Sequence, residues 1–466
     1  MVGADVSTAE RRRGGLWRDR DFMKFWSAET FSLLGSQVSL VAIPLLAVAS
    51  LTASPFEMGV LNAAQFAPFL LLTLVAGVWV DKHRRLPMLI GTNFGRAVLF
   101  GLIPLAMALK LLNIGLLSAL VFLAGMLTVV FELAYQSYLP SLVGHEHLIE
   151  GNGKLEGSRS FAQMSGPGTA GILVGAAGAP FAILIDAVTY LVSAVTLSLV
   201  RRTEPEPQPP AGPRKSLRAQ IGHGLRLSVS NTYLRALGTE AAVYNLFNQM
   251  LWAVLILHLA RGMHFHPTVV GLVLTTEGVG ALLGSLVAAR LGRRWGLGPT
   301  LIGSIVVANA APLLIPAAPS GWVLAAPLIG VALLINGTGL AVYSIQAISL
   351  RQAAVTADIL GRTNASYRFT VTGAAALGAL IGGALGGLIG LRATMIVGGL
   401  GTLAAMCFVI RSPIPKLLDL SELEPDSASG KTGPATCDEA VVPDDIALTP
   451  IIPRPIRPNH LYARET

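Results

Sequence analysis

Residues 77–88 read GVWVDKHRRLPM. One acid, Asp81, and a knot of bases, Lys82, His83, Arg84 and Arg85, stand between two long apolar runs with little charge nearby. A polar knot of this kind marks a turn at a membrane surface, and the rest of the chain repeats the arrangement. Of 466 residues, 53% are apolar and 13% are charged, against about 25% charged in an ordinary soluble domain. That leaves too little polar surface to cover a soluble body, so much of the outside must meet lipid. The formal charge of +8 would suggest nucleic acid in a soluble protein. Here the bases lie in short loops between apolar runs, where membrane topology puts them, and no nucleic-acid partner is expected. The two cysteines, Cys407 and Cys437, make neither a disulfide framework nor a metal cluster. No metal and no cofactor is expected.

A helix needs roughly 20 mainly apolar residues to cross the hydrocarbon layer. Twelve runs qualify: 24–50, 57–80, 87–109, 114–139, 156–177, 179–200, 236–260, 268–290, 298–317, 321–348, 366–389 and 391–411. Within lipid every backbone group must bond inside its own segment or a closed barrel. Runs of this length, rich in Leu, Ala, Gly and Ile, predict helices rather than short alternating strands. Arg11, Arg12 and Arg13 precede the first run as in a secretory signal, but that run is too long for a signal core and is read as a retained helix. The predicted fold class is an all-α membrane protein of twelve transmembrane helices in two six-helix bundles.

Loop charge predicts orientation. With the N-terminus in the cytoplasm, inside loops hold Lys82, Arg84, Arg85, Lys154, Arg201, Arg202, Arg214, Lys215, Arg290, Arg293, Arg294, Arg351 and Arg362, while outside loops hold Lys110, Arg261 and Arg392. Bases in short loops favour the cytoplasmic side, so both termini face in and the chain is a multi-pass protein of the plasma membrane. The expected organisation is a cytoplasmic segment over 1–21, a first bundle over 22–201, a Pro-rich linker over 202–234, a second bundle over 235–411 and a disordered cytoplasmic tail over 412–466. The halves echo one another: the second run ends in GVWVDKHRR and the eighth in GSLVAARLGRR. Paired halves in a polytopic chain suggest a transporter that rocks one bundle against the other about a central site.

Residues 77–85 resemble the loop signature of the major facilitator superfamily, Gly-x-x-x-Asp-Arg/Lys-x-Gly-Arg-Arg. Gly77, Asp81, Lys82 and Arg85 match it, and Arg84 replaces its second glycine. Residues 165–175, SGPGTAGILVG, are similar to the superfamily's antiporter signature, with Gly166, Pro167 and Gly171 matching. With WSAETFSLLGSQVSLVAIPLLA in the first run and ILIDAVTYLVSA in the sixth, the chain resembles the drug:proton antiporter branch that includes macrolide-efflux and enterobactin-exporter proteins. The resemblance implies that the 77–85 loop latches the halves on the cytoplasmic side, Asp81 pairing near Gly361 and Arg362 at the start of the eleventh helix. It implies antiport for the fifth helix, for which ordinary close packing is the plainer reading.

An ionisable group at membrane depth costs at least about 2.5–3.5 kcal/mol on insertion scales and usually faces the interior. Arg96 and Glu277 sit nearest the middle of their runs, and Glu132 lies in the fourth. A carboxylate in a low-dielectric cavity can exchange a proton near neutral pH, so Glu277 and then Glu132 are the proton-carrier candidates, with Arg96 a counter-charge or an anion-binding group. A fixed interhelical ion pair is the plainer reading of all three. Glu29 and Glu240 lie near the cytoplasmic ends and are expected to reach water by snorkelling. Asp186 is expected to cap or latch an outer end. Gln37, Tyr244, Asn248, Trp252, Asn336 and Tyr343 are the candidates for lining a substrate cavity.

SASGKTGP near the C-terminus lacks the first glycine of a phosphate-binding loop and follows no strand, so an ion gradient must supply the work. The expected function is proton-coupled efflux of small amphiphilic molecules (a drug, an antibiotic or a siderophore) by a monomer exchanging substrate and protons across the bilayer. The alternatives are import of a small anionic metabolite through Arg96 and a polytopic membrane enzyme. Against the enzyme, the chain holds no His-Glu-x-x-His, Gly-x-Ser-x-Gly or Cys-x-x-Cys pattern.

Overall fold

The computed structural model describes residues 15–202, 204, 230–319, 321–354 and 357–419, with backbone alone at 74, 78, 81, 145 and 357–366. Most of the linker, and the tail beyond 419, lie outside the described residues. Among the described residues, twelve long helices follow one another. The first half comprises α1 (Arg20–Ala49), α2 (Pro55–Lys82), α3 (Arg85–Ala108), α4 (Ile114–Val143), α5 (Leu148–Ala177) and α6 (Ala179–Ser198). The second comprises α7 (Thr232–Leu257, continued by a π-turn His258–Gly262), α8 (Pro267–Trp295), α9 (Leu297–Ala310, extended by short turns to Ala317), α10 (Trp322–Ala353), α11 (Ala357–Leu388) and α12 (Leu391–Ala405, followed by Cys407–Ile410). Among the described residues, eleven of the twelve are long and apolar enough to cross a membrane. The exception, α5, carries Glu150, Lys154, Glu156 and Arg159 in its first half.

Short joints force the helices to alternate in direction. Odd-numbered helices begin and even-numbered helices end on one face, the near face; the other is the far face. Local chemistry sets the boundaries. Asp19 caps α1 by accepting from Asp21 N and Phe22 N. Ser54 and Glu57 form a capping box with Pro55 as the first residue of α2. Gly178 and Gly390 occupy the same place in the two halves, just before α6 and α12, in joints of one residue between α5 and α6 and two residues between α11 and α12. Both have φ of 85°, where a side chain would be strained.

The packing repeats as the sequence does. Within the first half α1 packs on α5 and α6, α2 on α4, and α3 on α4 and α6; the second half shows the equivalent contacts of α7 with α11 and α12, α8 with α10, and α9 with α10 and α12. The halves meet chiefly through α2 against α11 and α5 against α8, a pair of contacts that a two-fold exchange of the halves maps onto each other. The apolar core is distributed unevenly. One large cluster runs through both halves on the far face, from Leu46, Met58 and Val174 to Val254, Val270 and Ile329. Toward the near face it gives way to separate clusters, one within the first half around Phe25, Leu89 and Tyr138, and one within the second around Leu301, Tyr343 and Leu350. The molecule is therefore fastened on the far face and divided toward the near face.

Residues 412–419, placed by the sequence in the tail, pack on the body: Ile414 is fully buried, and Leu297 N and Gly298 N donate to Leu418 O and Leu417 O.

Candidate functional site

Far-face closure depends on backbone-to-backbone approach. A Cβ on Gly171 of α5 would lie 2.7 Å from Gly271 Cα of α8, and one on Gly59 of α2 would lie 2.8 Å from Gly383 Cα of α11. Without a hydrophobic driving force between helices in lipid, such close van der Waals contact is what holds them. Arg261, read from the sequence as a loop base, closes the same face. Its Nη1 donates to Ala53 O at 2.8 Å and its Nη2 to Val48 O at 2.7 Å, so one guanidinium of the second half grips the end of α1. The antiporter-like residues join this packing: Gly166 faces Gln37 of α1, and Gly271 leaves no room for a side chain beside the Pro167 carbonyl.

At mid-depth the halves are joined by charge. Arg368 Nη2 of α11 lies 3.5 Å from Glu132 Oε2 of α4, with the two side chains 60% and 35% exposed. Each residue sits eleven positions from its near-face helix end, about 16 Å at 1.5 Å per residue. So exposed a pair at that depth requires open space between the halves on the near side.

Around this pair, the first half holds a buried polar network. The Arg96 guanidinium is stacked between Phe131 of α4 and Tyr190 of α6, 4.3 and 4.4 Å from the ring centroids. Its Nη2 donates to Asn93 Oδ1, and Asn93 Nδ2 donates to Ser193 Oγ at 2.8 Å. The Tyr190 and Ser36 hydroxyls are 2.8 Å apart. Arg96 is close enough for its charge to act on Glu29 of α1 and on Asp186 of α6, and Arg159 and Glu132 also act on Glu29. Glu29 Oε2, Asp186 Oδ2 and Arg96 Nε have no hydrogen-bond partner among the described residues, a costly state for buried polar atoms.

Three sequence readings need correction here. Glu29 and Glu240 are 5% and 1% exposed and do not snorkel. They lie nine residues past Arg20 and eight past Thr232, because both helices begin earlier than the apolar runs do. Asp186 is fully buried and caps nothing; it faces Gly35 of α1, and Thr189 Oγ1 donates to it at 3.3 Å. Counting eight residues from the Gly178 joint, about 12 Å of helix, would have placed it at depth.

The second half holds two further acids, Glu240 and Glu277, and neither makes an ion pair among the described residues. Glu240 accepts from the Tyr343 hydroxyl. Glu277 is half-buried, ten residues into α8, and makes no ion pair among the described residues. Tyr244 lies within electrostatic reach of both acids. Tyr244, Asn248 and Trp252 follow one another at i, i+4 and i+8 on α7 and are all half-buried; Trp252 packs against the far-face core. Asn336 is instead buried, donating to Ala308 O of α9 at 2.8 Å. Its amide joins two helices of one half.

The side chains of Asp81 and Arg362, the expected latch, lie outside the described residues. The rest of that loop is organised by a residue the sequence reading missed. Glu204, buried at the start of the linker, accepts from Arg85 N at 2.7 Å and Leu86 N at 3.2 Å, and pairs with Arg85 Nη1 at 3.3 Å. It satisfies the first donors of α3, whose N-cap Arg84 offers no acceptor. Lys82 is exposed, and the described contacts give no steric reason for Gly77.

Two six-helix halves joined by α2, α5, α8 and α11 around a charged centre define a transporter of the major facilitator fold. Solved structures agree on the fold. A bacterial homologue of the iron transporter ferroportin in an inward-facing state superposes with a TM-score of 0.66 at 19% identity, covering 84% of this chain and 98% of that one. The nucleoside transporter NupG gives 0.66 at 12% identity over 84% and 99% of the two chains. A family model described as transmembrane secretion effector matches residues 16–435, and the chain belongs to that family. It is a multi-pass membrane transporter and not an enzyme. It is similar to the multidrug efflux pump Tap of Mycobacterium tuberculosis, 26% identical over 406 residues that cover 84% of this chain and 94% of Tap. It is also similar to macrolide efflux protein A of Streptococcus pyogenes, 22% identical over 180 residues, 39% of this chain and 44% of that protein.

Proposed function

We propose that the protein exports small amphiphilic molecules from the cytoplasm in exchange for protons, by alternating access, with both termini cytoplasmic in the plasma membrane. One observation carries this reading: the halves touch backbone to backbone on the far face, while Glu132 and Arg368 stand exposed between them about 16 Å in from the near face. With the near face cytoplasmic, as the loop bases favour, this is an inward-open state ready to load from inside. Similarity to the Tap and macrolide pumps supports efflux as the direction. Glu277 and Glu132 are the proton-coupling acids of this reading, and Asp186 and Glu29 join them as buried acids beside Arg96. An interior with more acids than bases suits substrates that carry a positive charge. Import of an anion through Arg96 is disfavoured, because its guanidinium is already occupied by two rings and Asn93 and is 3% exposed.

The test is transport in inside-out vesicles. An inside-acid gradient should drive accumulation of a cationic dye such as ethidium, and a protonophore should abolish it. Accumulation indifferent to the protonophore would remove proton coupling, and accumulation in right-side-out vesicles alone would reverse the direction.

A further inference from the structure

A cavity of about 500 Å³ opens on the second half between α8 and α9, with α10 as its floor. Leu283, Val287, Leu291 and Trp295 of α8 form one wall. The hydroxyl donors of the lining are already taken: Thr300 Oγ1 donates to Leu291 O, Ser304 Oγ to Leu301 O and Thr338 Oγ1 to Leu334 O. A drug's hydrogen-bond acceptors would lose their hydration there without finding a side-chain donor. A hydrocarbon chain loses nothing.

The near-face end of the groove is different. Trp295, 57% exposed, stands at its mouth, the residue type that membrane interfaces favour. Arg290 and Arg294 are exposed on the last turns of α8 and have no acidic partner among the described residues. Each lies seven residues beyond a lining residue, Leu283 and Val287, so both project on the groove's side of the helix. Two unpaired guanidinium groups at headgroup depth suit a phosphate.

We propose that this groove binds one anionic phospholipid of the bilayer, an acyl chain lying between α8 and α9 and the phosphate held by Arg290 and Arg294. The lipid would fill the gap beside α8, one of the four helices that join the halves.

The experiment uses the full-length protein, delipidated in detergent and offered equal amounts of phosphatidylglycerol and phosphatidylcholine, with retained lipid counted by native mass spectrometry. One phosphatidylglycerol per chain should be retained, about tenfold in preference to phosphatidylcholine. The double variant Arg290→Gln, Arg294→Gln should lose the preference. Gly303→Leu should lose the retained lipid altogether; a Cβ at Gly303 meets open space, so the larger side chain fills the groove without displacing a neighbour. Equal retention of the two lipids by the wild type, or unchanged retention in both variants, would overturn the proposal. So would loss of dye export by Gly303→Leu with lipid retention intact, since the groove would then be a substrate path.

Discussion

Arg368 of α11 and Glu132 of α4 form an ion pair 3.5 Å long that joins the two halves at mid-depth. Both side chains are more than a third solvent-exposed, and pairs of that kind contribute about 0–1 kcal/mol. A weak cross-half pair can be broken and remade in each cycle at little cost. Glu132→Gln is therefore expected to leave thermal stability within about 1 kcal/mol of wild type. Dye uptake should fall severalfold, because a cation loses its acid partner. Melting in detergent and vesicle uptake measure the two effects; full uptake would show that Glu132 serves packing alone.

Gly171 and Gly271 bear on the far face. A Cβ on Gly271 would meet the Gly171 backbone at less than van der Waals distance, and neither helix backbone can move aside as a side chain can. Gly271→Val should keep the halves from closing there and reduce transport below about a tenth, with Gly271→Ala intermediate. Spin labels at Leu111→Cys and Trp322→Cys, exposed near the far-face ends of opposite halves, should then report a longer distance. An unchanged distance with full transport would mean that the close contact is not part of the cycle.

Arg261 supplies the polar counterpart of that contact. Its two charge-assisted bonds to Val48 O and Ala53 O contribute roughly 1.5–3 kcal/mol each in a dry setting, less where the group is half-buried. Arg261→Gln should shift the balance of access states at least about tenfold toward far-face opening. The same label pair reads this as a second, longer distance population. Arg261→Lys, which cannot reach two carbonyls in a fork, should behave like Gln; a Lys variant with the wild-type distribution would reduce the role of Arg261 to its charge.

Glu277 makes no ion pair among the described residues. Glu277→Gln removes a proton site without breaking an ion pair, so the fold should be kept while pH-driven uptake is lost. Facilitated downhill flux, measured without a gradient, should persist. Wild-type coupling in this variant would transfer the role to Asp186 or Glu29 beside Arg96.

Much of the architecture is legible in the order of residues. Lipid admits only backbone satisfied within its own segment, so run length alone gives twelve helices, and the echo of GVWVDKHRR in GSLVAARLGRR gives two halves. The helix ends were less legible. α1, α5, α7 and α11 extend beyond their apolar runs toward the near face, where polar residues continue a helix as readily as apolar ones. That shift is what buries Glu29 and Glu240, which a count from the edge of the apolar run places in reach of water.

The sequence by itself determined the membrane class, the number of crossings, the pairing of halves and the short roster of interior charges, because each follows from a local pattern measured against bilayer thickness. Only the tertiary structure decided which charges meet: Glu132 with Arg368, Arg261 with two carbonyls of the other half, Glu204 with the start of α3, Asp186 turned toward α1. These pairings join residues 119 to over 200 positions apart or depend on which side of a helix faces a neighbour. Helical periodicity fixes the sides of a rod, and packing alone fixes what stands opposite them.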